Sequence, residues 1–179
     1  MSHDILKIGY LSSILLYFEG SKRNCNHRGF MVEYYPQTIY YPKDEVEKKW
    51  RNGDLAHVET RLLEFVRRHA MTLVDVAKDD NENPGPEEYL DAIRILVLSK
   101  GTIHPPAEMA EMIREINKEI WYQGERGEGN PQKVRDLWEQ KYAFQWSEAR
   151  LFETFVVLEH VAPKAVQTLH EAVKAIGVQ

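Results

Sequence analysis

From residue 54 onward the chain is punctuated as a succession of helices, and this punctuation limits the possible folds more than any other feature. Asp54, just after Gly53, is a good N-cap, and Leu55, Val58, Leu62, Phe65, Val66, Leu73 and Val76 follow at helical spacing. That pattern predicts one helix of about seven turns. The acidic stretch DDNENPGPEE closes it. Pro86 then stands where a first helical residue belongs, with Glu87 and Glu88 complementing the positive end of the next helix. The segment EEYLDAIRILVLSK is apolar on more than one side and stops at Gly101, as a buried central helix does; a buried strand over IRILVLS is the alternative.

Pro105-Pro106 opens a further helix with an inward stripe of Met109, Met112, Ile113, Ile116 and Ile120. Glu108, Glu111, Arg114, Glu115, Lys118 and Glu119 are expected to turn outward, and Gly124 to end the helix. Asn130-Pro131 reads as cap and first residue of a helix bearing Val134, Leu137, Trp138 and Tyr142. Ser147 reads as the next cap, with Trp146 placed to staple onto Leu151. Across Pro163, residues Phe155, Ala162, Val166, Leu169, Val173 and Ile176 keep phase, as in one kinked helix or two collinear ones, with Gly177 as the stop.

Residues 1–53 are less regular. ILLYFEG and GFMVEYY can pair as a hairpin, with Pro36 confining FMVEYYPQTIYY to an edge or an interrupted strand. Residues 43–51 predict a short helix with Glu45–Lys49 and Glu47–Arg51 as charge pairs. The fold expected is mainly α: a single domain over 1–179, with an irregular, hairpin-containing part over 1–53 and a helical core over 54–179. The helices number about six to seven.

A chain of 179 residues with 43% hydrophobic and 28% charged side chains buries a full core without staples. Its net charge of -5 disfavours a surface that clings to nucleic acid or anionic lipid. A helix-turn-helix over PQKVRDLWEQKY and SEARLFETFVVLEHV is disfavoured too, because the second segment is apolar where a groove needs polar side chains. One cysteine allows no internal disulfide, and the run ILKIGYLSSILLYF is short for a membrane span and lacks a signal peptide's flanks, so a cytoplasmic protein is expected. Seven scattered histidines and one cysteine show no zinc spacing, and neither a metal nor a cofactor is expected.

Three groups of residues are worth testing. In SKRNCNHRGF, Lys22, Arg23, His27 and Arg28 offer uncancelled positive charge to an anion or an acidic partner, while Cys25 lacks an assigned base. Tyr34, Tyr35, Tyr40, Tyr41 and Trp50 form an aromatic segment suited to a contact surface. His69, Glu148 and Glu159 fall within apolar stripes, where an interhelical pocket would give them a purpose. With no catalytic constellation, the reading leans away from an enzyme. The leading expectation is a protein that acts by association, as a homo-oligomer or accessory subunit. The competing one is a small-molecule-binding protein or enzyme using Glu148, Glu159 and His69.

Overall fold

The structure, a computed structural model, describes residues 30–34, 37–41, 43–127 and 130–177, the stretches between 30 and 41 by their backbone alone. The chain divides into two units, Met1–Asp44 and Glu45–Gln179. In the first, β1 (Phe30–Tyr34) runs antiparallel to β2 (Gln37–Tyr41), in register from Phe30 opposite Tyr41 to Tyr34 opposite Gln37. Pro36 lies between them in sequence, so no ladder position asks a proline for an N–H. The expected pairing partner ILLYFEG lies outside the described residues.

The rest is helical, as expected: α1 (Lys43–Arg51), α2 (Ala56–Arg68), α3 (Ala70–Asp80), α4 (Pro86–Lys100), α5 (Pro105–Glu125) and α6 (Pro131–Ile176). The helical unit begins before residue 54, because α1 buries Val46 in it. Among the described residues the expected Glu45–Lys49 and Glu47–Arg51 ion pairs do not form. Lys49 and Glu47 reach α6 instead, and Arg51 Nε donates to the Glu47 carbonyl at 3.3 Å. Tertiary partners on α6 win because the pairs they form are better shielded from water than an exposed pair along one helix.

Other local expectations were also overturned. Asp54 sits in the turn before α2, its N–H donating to the Lys49 carbonyl at 3.0 Å, and Leu55 is the residue at the helix start. The single helix expected over 54–80 is two. His69 leaves helical geometry at φ -107° and ψ 18°, yet its N–H still donates to Phe65 and its carbonyl still accepts from Leu73, so the chain bends with its hydrogen bonds kept. Ser147 caps nothing. It lies inside α6, donating to the Ala143 carbonyl at 3.1 Å, so the premise of a helix-turn-helix there is gone.

Most proline and glycine signals read correctly; Gly124, expected to end α5, instead lies inside it, the helix running to Glu125 with Gly127 taking the left-handed φ of 70° beyond it. Pro86, Pro105 and Pro131 each open a helix, and Gly101 closes α4 at φ 71°, a left-handed conformation that any side chain would strain. Glu88 reaches back to accept the Gly85 N–H at 2.9 Å, half of a capping box. These N–H groups at the start of α4 hold the Glu88 carboxyl below its ordinary range. His104 caps α5, its Nδ1 accepting from Ala107 N–H at 3.1 Å.

The core forms where α6 crosses α2 and α4. Leu62 and Val66 of α2, Ile93 and Val97 of α4, and Val157, Leu158, Ala165 and Leu169 of α6 are fully buried, with Leu73 of α3 beside them. At 46 residues α6 is about 70 Å long. Apart from Trp138, its buried side chains all lie between Glu153 and Leu169. The first half of α6 runs beside α5, to which the short connection of residues 126–130 joins it. No helix among the described residues is long and apolar enough to cross a membrane.

Leu62→Ala is expected to lower the free energy of unfolding by about 2 to 5 kcal/mol, while Ile176→Ala at the exposed end of α6 changes it by under about 0.5 kcal/mol, both read from denaturant titration.

Candidate functional site

The sequence-predicted residues do not assemble into one site. Lys22, Arg23, Cys25, His27, Arg28 and Tyr35 lie outside the described residues, and Tyr34, Tyr40 and Tyr41 are placed on the strands by their backbone only. Trp50 is half-buried and stacks on His160, ring centres 5.4 Å apart and 9° from parallel, so it serves to pack α1 on α6. His69 sits half-buried at the α2–α3 bend, its ring 4.6 Å from that of Phe65. Glu159 was expected on the buried side of its helix but is exposed with Pro163 and Gln167, because the buried stripe runs through Val157, Leu158, Val161 and Ala165. Glu148 is half-buried. Neither of the two described cavities is lined by His69, Glu148 or Glu159.

The carboxylate that α6 does bury is Glu153, 3% exposed. Its Oε1 accepts from Lys49 Nζ at 3.0 Å, and its Oε2 lies 2.9 Å from Arg150 Nη1. The second pair is close but badly angled. Oε2 and Arg150 Nε are left buried without a hydrogen-bond partner among the described residues. Two further pairs flank it: His160 Nε2 meets Glu47 Oε2 at 2.8 Å, and Lys164 Nζ meets Glu59 Oε1 at 2.6 Å. Glu153 and His160 are seven apart in the sequence, a spacing that hints at a shared role. In the fold each faces a different residue of α1.

Arg150 links this buried pair to an open cavity of about 830 Å³ among α2, α5 and α6. The guanidinium lies 5.3 Å from the ring centre of Trp146, which also lines the cavity. From α2 comes Arg61, whose Nη1 meets Glu111 Oε1 of α5 at 2.7 Å. Arg114 lies 3.9 Å from the same oxygen, and Lys118 pairs with Glu115 at 2.6 Å. Spacings of three and four put Glu111, Arg114, Glu115 and Lys118 on one face of α5, and that face looks into the cavity. The opposite was expected. Met109 and Ile113, predicted core, are exposed instead, and only Ile116 of α5 is buried. A charged row at helical spacing reads as a solvated face; that it walls a cavity depends on Arg61 and Arg150 arriving from distant segments.

The cavity brings together donors on three helices, with the aromatic face of Trp146 as backing. Among the described residues no group of three or more His, Cys, Asp or Glu is placed to hold a metal ion.

Lys49→Ala leaves the buried Glu153 carboxylate with Arg150 alone and is expected to cost about 1 to 2 kcal/mol, Lys49 being half-exposed. Adding Glu153→Leu removes the stranded charge, so the double variant should regain most of that loss in a double-mutant cycle of unfolding free energies. At the bend, burial first, then Lys100 and Arg68, hold the His69 imidazole below its ordinary pKa. The unfolded chain therefore takes up a proton more readily than the folded one, and stability falls as pH drops below about 6.5, levelling off beneath the lowered value. His69→Gln should remove that component from the difference between the two stability–pH profiles. Comparison of the chain with protein families, with curated proteins and with solved structures finds no match.

Proposed function

We propose that this protein works by self-association, two copies docking through the hairpin of α5 and the first half of α6. The observation that carries the reading is the apolar surface this hairpin leaves open. Met109, Ile113 and Trp121 on α5, and Leu137 and Phe144 on α6, are exposed, Trp121 by 60% and Leu137 by 54%. Single exposed apolar residues are ordinary, but several large ones on two neighbouring helices mark an interaction surface. A pair of helices can cover only the faces it turns inward. A second hairpin laid across a twofold axis closes a four-helix bundle and buries the rest.

This reading puts the contact surface on the hairpin and not on the tyrosine-rich segment.

Sedimentation velocity at micromolar concentration is expected to show a dimer. Leu137→Glu/Phe144→Glu should weaken dimerisation by at least about a hundredfold while leaving the helical circular dichroism signal of the fold intact. A wild-type chain that sediments as a monomer, or a double variant that dimerises as before, overturns the reading.

A further inference from the structure

We infer that the cavity among α2, α5 and α6 binds a small molecule carrying a diphosphate or longer phosphate chain. Binding here uses the charged face of α5, which Trp121 borders beside Arg114 and Lys118, while Met109 and Ile113 lie around the helix from it.

The argument begins with a count of charges. Arg61, Arg114, Lys118 and Arg150 line the cavity, and Lys49 stands behind Arg150. Three carboxylates serve these five cations. Glu111 is shared by Arg61 and Arg114, Glu153 by Arg150 and Lys49, and Glu115 pairs with Lys118. The lining itself carries four of these cations against two carboxylates, with Arg150 also paired to Glu153 behind the wall, so positive charge exceeds negative within one cavity of a chain whose net charge is -5. Local positive potential against an acidic background draws a polyanion to this place.

The second point is an unpaired donor. Arg150 Nε is buried with no acceptor among the described residues, a state that costs free energy unless something offers an oxygen when the side chain shifts. The Trp146 ring holds the guanidinium from one side, so part of the ordering cost of binding is met beforehand.

The third point is size. At about 830 Å³ the cavity lies in the range of small-molecule sites, far larger than one phosphate needs. Arginine forks on three helices suit successive phosphoryl groups, each offering paired oxygens. The two carboxylates on the cavity wall do not oppose this, because each is already held against a cation.

Calorimetric titration with inorganic pyrophosphate and with ATP, both without divalent metal, tests the inference. Binding is expected for both, weakening as salt is raised. Tighter binding of ATP shows that a nucleoside is also held, and equal binding shows that the phosphate chain alone is read; either supports the site. Arg114→Gln/Lys118→Gln should weaken binding at least about tenfold. The thermal unfolding of this variant should match wild type, since the two side chains are 68% and 63% exposed. Should the double variant fold poorly, Arg114→Gln alone gives the same reading. Absence of binding of either anion at about 1 mM, or wild-type affinity in the folded variant, overturns the inference.

Discussion

The burial of the second half of α6 against α2 and α4 is the contact on which the remaining structure depends. Val157, Leu158, Ala165 and Leu169 enter from one helix, Leu62 and Val66 from another, Ile93 and Val97 from a third. Each large side chain removed from water contributes about 1.5 to 3 kcal/mol, so a handful of them outweighs every ion pair at the rim. With α6 held there, its first half is carried outward beside α5, and the cavity opens between the two ends. The polar pairs Glu47–His160, Lys49–Glu153 and Glu59–Lys164 then fix the rotation of α6 relative to α1 and α2. Their role is orientation more than stabilisation.

Glu153 shows how this division works. A carboxylate that is 3% exposed is costly in isolation, and Lys49 and Arg150 offset that cost only because each comes from a position the apolar core has already set. An aliphatic residue would pack there at less risk. What the carboxylate adds is a positional constraint on Arg150, which couples the core to the cavity wall.

Helix ends written by proline and glycine were legible in the sequence, because those residues act through their own backbone. Pro86, Pro105, Pro131, Gly101 and Gly177 all mark the boundaries they suggest. The bend at His69 was not legible, since Arg67, Arg68, His69 and Ala70 include neither a proline nor a glycine and the bend keeps its hydrogen bonds. Ser147 misled because a serine that would cap a helix start bonds equally well to the carbonyl four residues back inside one. The cavity was hidden for a different reason. Its α5 face reads as an ordinary solvated row, and the residues that complete it stand about 50 positions upstream and 30 downstream, a separation that spacing rules confined to one helix cannot bridge. For Glu159 the expected apolar stripe lies on the wrong side of α6, and Glu153, in the same stretch, is the carboxylate that the helix buries.

The continuity of α6 from Pro131 to Ile176 makes the two proposed surfaces share a phase. Leu137 and Phe144 stand one heptad apart on the hairpin; Trp146, Arg150 and Glu153 follow on the same rod without a loop to absorb error. Each residue advances the helix by about 100°. One residue inserted between Phe144 and Trp146 would rotate the outer face by more than a quarter turn against the cavity wall, leaving every local sequence nearly intact. Length along this helix is thereby as much a determinant of the surface as the identity of the side chains it carries.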